Sequence, residues 1–222
     1  MFDPRIAQLS QNLVNYSTAV KPGDKLLIEA IDVPPELPIE CARAARAAGG
    51  HPLVLLKSVS INRALMMYGT RESWDLAADV EALQMQNVQC YIGARGIANI
   101  SEMSDLTAEQ QRLYESTVWK RVHIDIRVPK TRWCVLRWPS PSMAQLAQMS
   151  TTAFEDLYFD VCTLDYAKMN AAMKPLQARM QAADRVRIKG PQDTDLTFSI
   201  KAMPAITCSG SHNIPDGEVF TA

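Results

Sequence analysis

An α/β fold is predicted for this chain: a Rossmann-like, mostly parallel sheet with flanking helices, followed by the first strands of a second, α+β unit. Three observations carry the prediction. Leu26-Leu27-Ile28 and the stretch Pro52 to Leu56 are continuous apolar runs, the pattern of strands covered on both faces. Between them the alanine-rich segment Glu36 to Ala48 reads as a helix that stops at Gly49-Gly50, so strand, helix and strand form a βαβ unit of about thirty residues with a right-handed crossover. After Arg185 the pattern changes to alternation, with Val186 and Ile188, then Leu196, Phe198 and Ile200, on either side of the turn Gly190-Pro191-Gln192-Asp193; this predicts a half-buried antiparallel hairpin.

The remaining elements follow in order. A first helix is expected from about Asp3 to Val20, because Ile6, Leu9, Leu13, Tyr16 and Val20 share one helical face and Pro4 suits a first turn. Lys21-Pro22-Gly23-Asp24 breaks the chain before a strand over Lys25 to Ile31. Helices are expected around Ile61 to Tyr68 and Ser73 to Met85. A strand over Val88 to Ile92 should end in the turn Gly93-Ala94-Arg95-Gly96, and a helix near Ala108 to Val118 should precede a strand over Arg132 to Leu136. Thr151 to Cys162 and Asp165 to Asp184 read as helices, the second with Met169, Ala172, Met173, Leu176 and Met180 at spacings of three and four; Pro175 should kink it or open a new first turn. A domain boundary is placed near Asp184, giving an N-terminal α/β domain over 1–184 and a second, incomplete unit over 185–222. The last residues either pack on the first domain or belong to something longer.

Composition narrows the function classes. The 222 residues are 47% hydrophobic and 21% charged, with a formal net charge of -1, which is enough apolar surface for a real core and too little basic excess for a phosphate backbone. Nucleic acid is therefore not an expected partner. Five cysteines, no two closer than 28 positions, exclude a CxxC zinc ribbon or redox pair and are expected to be buried thiols. With no basic-then-apolar leader and no apolar window of about 20 residues, neither a signal peptide nor a membrane span is expected, and the location expected is the cytoplasm.

No GxxxxGK[ST], GxGxxG after a strand, HExxH or GxSxG pattern occurs. Gly93-Ala94-Arg95-Gly96 has the spacing of a phosphate-contacting loop, but its ordinary reading is a strand-to-loop turn. His51 stands at a strand start, His123 in the polar stretch Lys120 to Arg127 and His212 in the terminal loop; no pair has the i, i+4 spacing of a helical metal site, and His51 and His123 are read as structural or solvated. The methionines, at helical spacing, fit gap-filling in a core, and Trp133 and Trp138 fit a core or interface. Glu218 is different. Pro215 stiffens the approach and Gly217 permits a sharp turn, so the Glu218 carboxylate is offered at the start of an extended apolar run, as a hard oxygen ligand for a divalent cation or simply as a solvated acid.

Two passages resemble a known family. Arg137-Trp138-Pro139-Ser140-Pro141-Ser142-Met143-Ala144-Gln145, running into Met149-Ser150 and Phe154-Glu155-Asp156-Leu157-Tyr158-Phe159, resembles the tract that ends the N-terminal domain of the aminopeptidase T/aminopeptidase S family of bacterial dinuclear metallo-aminopeptidases, the thermophilic metalloproteases. Ile188-Lys189-Gly190, Thr194 to Ile200 and Asn213 to Thr221 resemble the start of that family's catalytic domain, although the family's Gly-Thr-Asp-Leu pattern appears here as Asp193-Thr194-Asp195-Leu196. The resemblance implies a peptide substrate, a homodimer and two divalent cations per complete subunit, with zinc, cobalt, manganese or magnesium all suitable. It equates Glu218 with the family's first metal ligand and places the other ligands and the catalytic residues beyond Ala222. It also implies that this length of chain alone is inactive, with a dimerisation or gating role for its first domain. The alternative class is a non-catalytic α/β binding or assembly module, holding a small ligand beyond the carboxyl ends of its strands.

Overall fold

A computed structural model describes residues 3–221. Five strands run parallel in one sheet: β1 (Lys25–Ile31), β2 (His51–Lys57), β3 (Cys90–Gly96), β4 (Arg132–Trp138) and the two-residue β8 (Asn213–Ile214), in the order β2-β1-β3-β4-β8. Every residue of β1 after Lys25 is buried, as its unalternating sequence predicts. The connection through α2 (Glu36–Ala47) steps outward from β1 to β2. The next one, through α3 (Val59–Tyr68) and α4 (Arg71–Gln86), steps back past β1 to β3. Right-handed crossovers taken in opposite directions put α2 and the α3–α4 pair on opposite faces, and the reversal opens a crevice at the carboxyl ends of β1 and β3.

The α4 face holds one core, in which Leu27 and Tyr91 from the sheet meet Met66, Trp74, Ala78 and Met85 from the helices and Val118, Val122 and Ile126 from further along the chain. That last group lies on a longer helix than expected. α5 (Ala108–Tyr114) starts at a capping box between Thr107 and Gln110, continues π-helically over Glu115–Arg127 and ends in the single turn α6 (Val128–Lys130). Its buried residues recur as neighbouring pairs, Thr117/Val118, Val122/His123 and Ile126/Arg127, five and then four positions apart. That is the repeat of a widened helix, so a 3.6-residue period loses the face after Val118. The stretch Lys120 to Arg127, polar in composition, is thus half core.

The first helix is widened in the same way. α1 (Pro4–Gln11) is capped by Asp3, whose carboxylate accepts the Arg5 backbone N–H at 2.9 Å, and runs on π-helically through Asn12–Ser17. Val14 joins Leu9 and Leu13 as fully buried, while Tyr16 is only half-buried. α1 and α2 pack together, and Arg5 ion-pairs with Asp156 of α8 (Thr151–Cys162) at 2.7 Å.

Three expectations are corrected. β2 is the edge of the sheet, and Leu53, Val54 and Leu56 are exposed despite their apolar run, since an edge strand has a neighbour on one side only. Gly93-Ala94-Arg95-Gly96 is not a turn: all four residues are paired inside β3, so Arg95 belongs to the sheet. In α9 (Tyr166–Ala182) the helix passes through Pro175 without interruption; Ala171, whose carbonyl loses its partner to the proline, is exposed to water.

By compactness the chain forms two units, Met1–Leu164 with Ser211–Pro215, and Asp165–Gly210 with Asp216–Ala222. α9 goes with the second because Gln177 Nε2 donates to the Ala205 carbonyl at 2.9 Å and Gln181 Oε1 accepts the Ala205 N–H at 2.8 Å. The second unit also contains the hairpin β5 (Arg185–Lys189) and β6 (Asp195–Ser199), and the pair β7 (Ala205–Cys208) and β9 (Glu218–Thr221). The hairpin has the predicted register, with Val186 opposite Phe198 and Ile188 opposite Leu196, but it is not half-buried: Ile188, Leu196 and Phe198 are exposed. Four of the five cysteines are buried and Cys208 is half-buried, all as free thiols. No described helix is long and apolar enough to cross a membrane.

The edge position of β2 can be checked against the centre of the sheet. Leu56→Lys should change the urea-derived unfolding free energy by no more than about 0.5 kcal/mol, whereas Leu26→Ala on β1 should cost about 2–5 kcal/mol.

Candidate functional site

Glu29 is a carboxylate on the central strand, 4% exposed, and its environment is built to hold it. Lys57, at the end of β2, places its Nζ 2.9 Å from Glu29 and 2.8 Å from Glu81 of α4. The Tyr91 hydroxyl donates to the second Glu29 oxygen. Gly93 makes that bond possible: it is the register partner of Glu29, and a Cβ there would sit 2.8 Å from the Tyr91 hydroxyl oxygen, so only glycine lets the ring lie back across the strand. On the widened helix His123 stacks edge-on with Tyr91 at 6.0 Å, and its Nδ1 accepts from Arg127 Nε at 3.2 Å, which leaves the imidazole proton on Nε2. Arg127 in turn lies over the Trp133 ring at 4.3 Å.

Charge states follow from this packing. Burial raises the Glu29 carboxyl, but the Lys57 ammonium leads the groups that outweigh it, and the net shift is downward. Burial opposes the charge on Lys57 too, yet its two carboxylates raise its pKa. Tyr91 is pushed well up, first by burial and then by Glu29. His123 is pushed down to about 4, chiefly by burial, and is neutral at pH 7. Glu29, Glu81 and His123 each bring one possible ligand atom within 4.8 Å of the others, a spacing that would suit a metal ion. The Lys57 ammonium already bridges both carboxylates there, so this donor set is complete without a metal.

Glu218 is organised differently. Asp216 accepts the Gly210 N–H at 2.8 Å and the Gly217 N–H at 3.1 Å, one on each carboxylate oxygen, and so closes the turn. Gly217 sits at φ +148°, a conformation open in practice only to glycine. The turn delivers Glu218 to the first position of β9, opposite Cys208, where its carboxylate is exposed and makes no hydrogen bond or ion pair with the described residues. Burial, then the charges of Asp216 and Glu218, hold the Cys208 thiol above its ordinary pKa, so it stays protonated. The free carboxylate of Glu218 therefore fits a hard-oxygen position of a cation site.

The other residues singled out from the sequence are structural or solvated. His51 is exposed at the start of β2. His212 stacks edge-on with Trp133 at 4.7 Å, and its carbonyl accepts the Val135 N–H to seat β8 beside β4. In the tract after β4, Trp138 packs on Phe159 at 5.8 Å, and Ser140 caps α7 (Pro141–Leu146). The buried network escaped the sequence reading, although one signal was present: Glu29 interrupts Leu26-Leu27-Ile28 and Ala30-Ile31, and a charge in a doubly covered strand requires a buried partner.

Two outcomes test the network. Lys57→Met leaves two carboxylates without their cation and should destabilise the fold by about 3–5 kcal/mol in urea titrations at pH 7. His123 binds a proton in the unfolded chain near 6.5 but in the fold only near 4, so stability present above pH 6.5 is lost as pH falls from 6.5 to 4. The loss should reach about 3 kcal/mol from this residue, and His123→Gln should flatten that part of the stability–pH curve.

The sequence matches the profile of the thermophilic metalloprotease (M29) family over residues 2–222. No curated protein matches it. Among solved structures, AmpT from Thermus thermophilus shares the fold at a TM-score of 0.68 and 16% identity; the match covers 100% of this chain and 62% of that one, so the chain spans under two thirds of AmpT's length. 2,5-Dihydroxypyridine dioxygenase from Pseudomonas putida KT2440 is similar at a TM-score of 0.52 and 9% identity, over 100% of this chain and 56% of that one. With the profile matched along all but its first residue, this chain belongs to the thermophilic metalloprotease (M29) family.

Proposed function

We propose that the chain supplies the N-terminal α/β domain, residues 1–184, and the first catalytic strands, residues 185–222, of a dinuclear metal-dependent aminopeptidase that removes single residues from peptide N-termini. Family membership supports the peptidase class. The observation within the structure that carries the reading is the unpaired Glu218 carboxylate, presented by a turn whose acid and glycine both serve to place it. A divalent pair, when bound, supplies polarisation of the scissile carbonyl and a hydroxide nucleophile near neutral pH. Glu218 would contribute one anionic oxygen to holding it, and Asp216 keeps the turn closed.

A zinc site takes three or four protein ligands. One carboxylate does not reach that number, so residues 1–222 alone are inactive, and the other ligands and the catalytic groups follow in sequence beyond Ala222. The exposed apolar face of the β5–β6 hairpin supports this reading, since further layers of the catalytic domain would cover it. In the complete enzyme, a homodimer, the first domain serves assembly or restricts access to the site.

Two measurements test the proposal. Purified 222-residue protein given zinc, cobalt, manganese or magnesium should release no leucine from leucine amide; release would refute the division of the site. Manganese titrated into the same protein should broaden the NMR signals of residues 216–220 selectively, and Glu218→Gln should abolish the effect. Broadening that survives in the variant, or that centres on His123, would remove Glu218 from the ligand set.

A further inference from the structure

We infer that Arg95 and Arg137 form a binding site for a carboxylate with an apolar body, at the carboxyl edge of the parallel sheet. The two residues are register partners on β3 and β4, one position before the end of each strand. Like charges set opposite each other on neighbouring strands repel, and neither guanidinium takes part in an ion pair with any described residue. Arg95 is held over the Trp119 ring at 5.7 Å, and its Nε is buried without a hydrogen-bond partner. An orphaned buried donor beside a second free guanidinium is the arrangement that an anion completes, and the planar forks of arginine match a carboxylate in particular.

The neighbouring cavity selects the rest of the ligand. It has a volume of about 570 Å3, includes both arginines in its wall and is otherwise faced mainly by apolar side chains, among them Val135, Met143, Phe154, Leu157, Val161 and Ile214. This is the composition of a small-molecule pocket, with an apolar wall and a few convergent polar groups. Its position also suits a ligand, because open parallel sheets bind beyond the carboxyl ends of their strands. Inorganic phosphate would satisfy the arginines but leave the apolar wall unused. The occupant is therefore a hydrophobic carboxylate, either a free acid or the C-terminus of a peptide. The site involves no metal, and Pro215, which leads into the turn that carries Glu218, forms part of its wall.

Isothermal titration of the 222-residue protein with 4-phenylbutanoate, N-acetyl-L-phenylalanine, the amide of each and inorganic phosphate tests the site. At least one acid should bind saturably with Kd below about 1 mM, and its amide should bind at least about tenfold more weakly. Binding of both acids indicates a general carboxylate site, and binding of N-acetyl-L-phenylalanine alone indicates a peptide terminus. Arg137→Gln, at an exposed position, should weaken binding about ten- to a hundredfold, and Arg137→Lys should weaken it less. Leu157→Glu, also at an exposed position, should abolish binding by placing a negative charge in the cavity; circular dichroism verifies that each variant is folded. The inference is overturned if neither acid saturates by about 10 mM, if acid and amide bind equally, if Arg137→Gln leaves affinity unchanged, or if phosphate alone binds.

Discussion

A carboxylate in the middle of a doubly covered strand constrains the first unit more than any other feature. Glu29 is enclosed by its own sheet and by the helices above it, and an unpaired charge there would cost several kcal/mol. Each neighbouring choice answers that cost. Lys57 must stand at the end of the adjacent strand, where Glu81 also holds its ammonium, Gly93 must lack a side chain so that Tyr91 can lean across, and His123 must remain uncharged. These groups come from three strands, α4 and the widened helix. The register of the sheet and the seating of those helices are therefore fixed by one requirement.

The same sheet edge shows how a parallel fold concentrates function. Side chains at the carboxyl ends of β1, β3 and β4 converge where the strand order reverses, and there the chain uses charge in two ways. Around Glu29 two carboxylates share the Lys57 ammonium, which yields rigidity. At Arg95 and Arg137 the charges are like-signed and unmatched, which stores an affinity that only a ligand can use. Glu218, in the second unit, is also unmatched, but it is a lone oxygen donor and depends on partners from elsewhere in the polypeptide.

Strand positions were readable to within a few residues because each central strand is a continuous apolar run, and Thr151–Cys162 was readable as a helix because it keeps a 3.6-residue period. The widened segments were not, since their buried positions fall five apart and a regular period stops early; His123 was thereby placed in a polar stretch when it is 2% exposed. The turn assigned to Gly93-Ala94-Arg95-Gly96 failed for another reason. Glycine there serves close approach of a tyrosine across the sheet rather than reversal of the chain, and composition does not distinguish the two.

Local sequence alone determined the class of fold, the order of strands and helices, and the turn that presents Glu218, because those depend on residues near one another in the chain: apolar runs, caps, and a Pro-Asp-Gly bend. Only the tertiary structure decided which strand is the edge, which acids are neutralised by which bases, and which two arginines face each other without a counterion. Those outcomes depend on parallel register between segments about 30 to 60 residues apart, and a register carries no mark in either partner's sequence until both are paired.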